Sequence, residues 1–182
     1  QVQYVCRAGN YRKDGLSYTG ALRVLKVIMG YDYLWNQVRV KGGAYGCMCS
    51  FSKSGDSYFV SYRDPNLSKT VDVYEQAADY IASFSQDDRS MTQYIIGAIS
   101  EVDTPLTPAS KALRSLTAYM TNQTEDDFQK ERDELLTATQ DTIRGLAAHV
   151  RSFVGQNYFC VVGNDEKIKE ASGMFDTVAD LY

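Results

Sequence analysis

Residues 1–9 read as a strand, opening on the strand-like alternation of Gln1-Val2-Gln3-Tyr4-Val5-Cys6. From about residue 17 the period lengthens. Leu22, Leu25 and Ile28 or Met29 fall on one helical face, with Ser17 placed to cap the start. Gly30 is expected to interrupt or kink this helix. Tyr31, Leu34, Trp35 and Val38 then resume helical spacing at i, i+3, i+4 and i+7. Past Gly42-Gly43 the period returns to two. Tyr45, Cys47, Cys49 and Phe51 take one strand face, with Met48 and Ser50 on the other. Ser54-Gly55-Asp56 marks a turn, residues 58–62 form the return strand of a hairpin, and Asp64-Pro65-Asn66 closes it.

The chain then reads as helix as far as Gly155. Asn66 or Ser68 caps a segment bearing Val71, Tyr74, Ala78 and Ile81. Ser85 with Asp88 resembles a capping box ahead of Met91, Tyr94, Ile95, Ala98 and Ile99. The run Thr104-Pro105-Leu106-Thr107-Pro108 is a rigid connector to a short helix over 111–120. Thr124 and Asp127 cap the longest predicted helix, with a stripe of Phe128, Leu135, Thr139, Ile143, Leu146 and Val150. Residues 158–163 form a short strand of the fully buried type, and the chain from Asn164 to Tyr182 ends in helix. This order predicts an α+β fold, an antiparallel-rich sheet covered by helices around one core.

Composition changes this picture little. With 182 residues, 44% hydrophobic and 23% charged, the chain has ordinary globular make-up and suffices for a single domain, residues 1–182. Its net charge of −4 carries no dominant basic patch, so no nucleic-acid partner is expected. No stretch approaches the roughly 20 apolar residues of a membrane span, and the strand-like start does not resemble a signal peptide. The absence of an initiating Met suggests a segment excised from a longer polypeptide. All four cysteines, Cys6, Cys47, Cys49 and Cys160, lie in strand-like apolar runs, which suits reduced, buried thiols. Cys47 and Cys49 sit roughly 6.6 Å apart on an extended chain, near the limit for a disulfide.

Candidate chemistry is sparse. His149 is the only histidine, without a histidine at i+4 or a Glu within one turn, so it reads as a surface or packing residue. A Ser-His-Asp or Cys-His site would need the same histidine, and no Gly-x-Ser-x-Gly elbow accompanies it. Cys47-x-Cys49 lacks a second ligand pair, and Gly42-Gly43-Ala44-Tyr45-Gly46 lacks the Gly-Lys-Ser/Thr of a phosphate loop. The acidic run 125–127 fits a helix N-terminus, so no metal ligands are assigned. Arg39 and Tyr45 remain, at a helix end and a strand start that flank paired glycines.

The run Leu34-Trp35-Asn36-Gln37-Val38-Arg39-Val40-Lys41-Gly42-Gly43-Ala44-Tyr45-Gly46 resembles the C-terminal half of the pitrilysin/insulinase zinc peptidases, and within them the presequence-protease branch. The downstream order of hairpin, Pro-containing connector, long helix and short strand is similar too, so the resemblance covers most of the chain. It implies a domain like the repeated unit of the processing-peptidase/insulinase family, from a half that binds no zinc. Zinc, an H-x-x-E-H motif and a general-base Glu would lie in the N-terminal half of the same polypeptide. Arg39 and Tyr45 would complete the active site when the two halves close on a short unfolded peptide. Gly42 and Gly43 would let the backbone turn and leave room for substrate. On this reading the isolated chain is inactive. The alternative is a non-catalytic peptide-binding or assembly module of the same fold. The branch occurs in bacterial cytoplasm and in organelles, and the reduced-looking cysteines favour the cytoplasm.

Overall fold

The computed structural model describes residues 2–180. Strand β1 (Gln3–Asn10) lies inside the sheet and pairs antiparallel on both sides. On one side is β3 (Asp56–Asp64), which in turn pairs with β2 (Gly46–Phe51). On the other side is β4 (Tyr158–Val162), giving the order β2-β3-β1-β4. The antiparallel α+β architecture agrees with the sequence pattern.

Helix α1 (Ala21–Ile28) buries Leu22, Leu25 and Ile28 as the periodicity requires. Its cap differs from expectation. Gly20, not Ser17, occupies the N-cap, and the Thr19 hydroxyl and Gly20 N–H instead donate to Glu134. Gly30 does not break the helix either. The backbone passes through two π-helical stretches, Met29–Tyr33 and Trp35–Lys41, so the helical path runs on to Gly42.

Helix α2 (Ser68–Ala82) follows the hairpin. Its start is held by buried Asp64, whose carboxylate accepts from the Thr70 hydroxyl (2.7 Å) and the Asn66 N–H (2.9 Å). Neither Asn66 nor Ser68 is the cap: Leu67 takes that position without a side-chain bond. In α3 (Asp88–Val102) the cap is Asp87 rather than Ser85, accepting from Ser90 N–H. Thr107 caps α4 (Pro108–Met120), which starts earlier than predicted because Pro108 suits the first helical turn.

The long predicted helix is three. Thr124 and Asp127 do form a capping box at α5 (Glu125–Leu136), but the helix stops at Thr137. Thr139 is a second N-cap, bonded reciprocally with Thr142, and opens α6 (Gln140–Gly145); α7 (Ala147–Gly155) follows. Leu135, Ile143, Leu146 and Val150 are buried as the stripe demands, whereas exposed Thr139 belongs to the break. β4 is also unlike its prediction. It is an edge strand, with Tyr158, Cys160 and Val162 exposed and Phe159 and Val161 turned to the core. An all-apolar run hides the period-two alternation that would have shown this. The C-terminal helix is confined to α8 (Asp165–Glu170), capped by Asn164 and followed by a short turn at Ser172–Met174; residues 181–182 lie outside the described region.

α1, α2 and α7 pack on one face of the sheet, around Val5, Phe59, Phe51 and Phe153. The opposite face carries exposed Tyr4, Met48, Tyr58, Tyr158 and Val162. No helix among the described residues is long and apolar enough to cross a membrane.

Candidate functional site

Arg39 sits near the end of the second π-helical stretch, four residues after Trp35 and on the same helical face. Its guanidinium lies 4.3 Å from the Trp35 ring centroid, a stacking geometry that holds the planar cation in place. Three residues on, the chain reverses. Gly43 N–H donates to Arg39 O (2.9 Å) and Ala44 N–H to Val38 O (3.1 Å), which caps the helix while Gly43 adopts φ +80°. Any side chain would be strained in this left-handed conformation, so the second glycine is a conformational requirement. Gly42 O accepts from the Asn66 side-chain amide (2.5 Å), tying the turn to the corner that starts α2.

Tyr45 then leads into β2, its N–H donating to Arg63 O (3.3 Å). Gly46 follows because the Tyr62 ring crosses directly over it: a Cβ there would lie 2.2 Å from Tyr62 Cε1. The Tyr62 ring in turn meets Tyr45 edge-on at 5.4 Å and stacks towards Tyr4 at 6.5 Å. The result brings the two predicted residues together. Arg39 donates from Nη1 to the Tyr45 carbonyl oxygen, its guanidinium 5.8 Å from the Tyr45 ring centroid. Arg63 flanks the same ring from 5.7 Å. Arg63 has a positive φ of 48° at the end of β3, and sequence reasoning missed it. Nothing in its local pattern marks it; only the hairpin register brings it alongside Tyr45.

Tyr45 is 58% exposed and Arg39 half-buried, so a cation and a phenol hydroxyl stand at an open surface. Beside them a groove of about 330 Å³ runs between Trp35, Tyr31, Val27 and Met48. The donor set here is two guanidiniums and aromatic rings, which repel a dication and offer no ligand to it. Among the described residues no group of three or more His, Cys, Asp or Glu is placed to hold a metal ion.

The other singled-out residues are accounted for by packing. His149 donates from Nε2–H to the Ser17 carbonyl oxygen (2.9 Å) and meets Tyr11 edge-on, a packing residue as expected. Burial pushes the Cys47 thiol up to about 11 and that of Cys49 to about 12, so neither is a ready thiolate. Cys160 departs from the expectation of buried thiols, since it is exposed on the edge strand.

Comparison with known proteins follows the same outline. The family model described as PreP C-terminal domain matches residues 1–163. Protein HypA of Clostridium perfringens is 44% identical over 180 residues, covering 99% of this chain and 18% of that protein. Presequence protease 1, chloroplastic/mitochondrial, of Arabidopsis thaliana is 35% identical over 173 residues, covering 94% of this chain and 16% of that protein. The chain thus spans less than a fifth of the length of these relatives. Among solved structures, the peptidase M16 inactive domain from Pseudomonas fluorescens superposes with TM-score 0.60 at 15% identity, covering 89% of this chain and 40% of that one. Pitrilysin does so with TM-score 0.57 at 13% identity, covering 87% of this chain and 18% of that one. The fold is shared with both. On the matched model and relatives, this chain belongs to the presequence-protease branch of the pitrilysin/insulinase metallopeptidase family, as its PreP C-terminal domain.

Proposed function

We propose that residues 1–182 are one domain of the non-zinc C-terminal half of a longer peptidase, and that Arg39 and Tyr45 complete its active site. The observation that carries this reading is their convergence. A helix end, a glycine turn and a strand start place a fixed guanidinium against a partly exposed tyrosine, with aromatic residues of the sheet behind it. The partner is the N-terminal half of the same polypeptide, which holds zinc and the general base. The substrate is a short unfolded peptide, clamped between the halves.

Each group then has a definite task. As a peptide carbonyl is attacked, negative charge develops on its oxygen, and the Tyr45 hydroxyl donates a hydrogen bond to it. Arg39, held by Trp35, directs its remaining N–H groups to a substrate backbone carbonyl as charge-assisted donors. Gly42 and Gly43 keep the turn between them free of side chains beside the substrate. Both donors arrive only when the halves close, which makes closure a gate. The setting that goes with this reading is the bacterial cytoplasm, with an organelle as the other.

The test is steady-state kinetics on the full-length chain. Tyr45→Phe should lower kcat by about 10²–10³ with bound zinc unchanged. Arg39→Lys should also be impaired, because an ammonium cannot reproduce the fork. Unchanged kcat in Tyr45→Phe would overturn the assignment. A parent chain that binds unfolded peptide without cleaving it would instead mark a non-catalytic module.

A further inference from the structure

Cys6 and Cys160 are far apart in sequence but directly opposed in the sheet. In the β1–β4 register Cys6 pairs with Cys160, between the pairs Tyr4–Val162 and Ala8–Tyr158. Directly opposed residues of an antiparallel pair share a face, and here it is the face away from the helices. Tyr4 and Val162 are exposed on it, whereas Val5 and Arg7 on the other face are buried. Opposed residues in such a ladder have Cα atoms about 4.5 or 5.5 Å apart, and both values lie within the range a disulfide spans. Cys160 is exposed and Cys6 half-buried; both are free thiols. The Cys6 thiol is pushed up by burial and, secondarily, by its proximity to Cys160. Cys47 and Cys49 form no such pair, being neighbours along one strand on its core-facing side.

We propose that Cys6 and Cys160 form a surface dithiol that is oxidised to a cross-strand disulfide by small-molecule disulfides. Exposure puts the first step at Cys160. Its thiolate attacks one sulfur of the disulfide RS–SR, forming a mixed disulfide and expelling RS⁻, which takes up the proton released. The Cys6 thiolate then attacks Cys160 Sγ and expels the second thiolate. Two cysteine thiols are oxidised, and one RS–SR is reduced to two RSH. Because β1 is the one partner of β4 among the described residues, the new bond staples this edge strand in place. The site is separate from Arg39 and Tyr45 and does not depend on their role.

The experiment treats the reduced full chain with oxidised glutathione in native buffer, followed by proteolysis and mass spectrometry. The expected product is a peptide pair linked Cys6 to Cys160, with hydrogen exchange over residues 158–162 slowed. Cys6→Ser should stop at glutathione on Cys160, because the resolving thiol is gone. If the parent chain also stops at that mixed disulfide, or if Cys160 does not react, the proposal is overturned.

Discussion

Gly43 stands between the two residues on which the proposed chemistry rests, and its φ of +80° is what turns the chain from Arg39 back to Tyr45. An added Cβ meets only Pro65 Cγ, at 3.6 Å, so space is not the obstacle; backbone conformation is. Gly43→Ala should therefore destabilise the chain by about 1 kcal/mol through left-handed strain alone, read as a lower denaturant midpoint at unchanged slope. On the proposed function, the same change should also weaken peptide cleavage by the full-length protein more than its stability loss explains, because it loosens the Arg39–Tyr45 spacing. The paired glycines are legible in the sequence as a turn. That the second one alone needs positive φ, and that Gly46 lies under Tyr62, required the hairpin register.

Among the elements, the break between α5 and α6 shows how local chemistry overrides a periodic stripe. The apolar spacing from Leu135 to Val150 continues, but Thr139 bonds reciprocally with Thr142 and starts a new helix. Thr139→Ala should cost about 1 kcal/mol, the usual loss for an N-cap hydroxyl. Thr139→Ser, which keeps the acceptor, should recover most of it; thermal unfolding of the two variants measures the difference. The break was readable in principle, since Thr-x-x-Thr is a weak capping pattern. It was masked because Thr139 also fits the helical period. The Thr124/Asp127 cap is legible for the opposite reason: nothing apolar competes at those positions.

For the whole molecule, Glu131 is the tie between distant parts. It accepts from Arg23 Nε (2.5 Å) and the Tyr18 hydroxyl (2.8 Å) and pairs with Lys53 in the hairpin, joining the entry to α1, the β2–β3 turn and α5. Burial pushes its carboxyl up, but hydrogen bonds from Lys53, Arg23 and Tyr18 outweigh it and leave the group below its ordinary value of 4.5. A carboxyl lowered on folding contributes stability above its unfolded pKa and loses it as pH falls through the folded one. Unfolding free energy should therefore drop as pH falls below about 4.5. Glu131→Gln should flatten that part of the profile, although it lowers stability at neutral pH. A profile unchanged in slope would remove Glu131 from this role.

Period and turn chemistry, which act within a few residues, determined the strand–helix–hairpin order, the α+β class and the position of Arg39 and Tyr45 at a helix–strand junction. The long motif through residues 34–46 carried the family. Tertiary structure alone decided what depends on residues distant in sequence. It set β4 at the sheet edge, Arg63 beside Tyr45, and Cys6 opposite Cys160. Strand pairing and ring packing join positions more than a hundred residues apart, and no local period encodes which of them will meet.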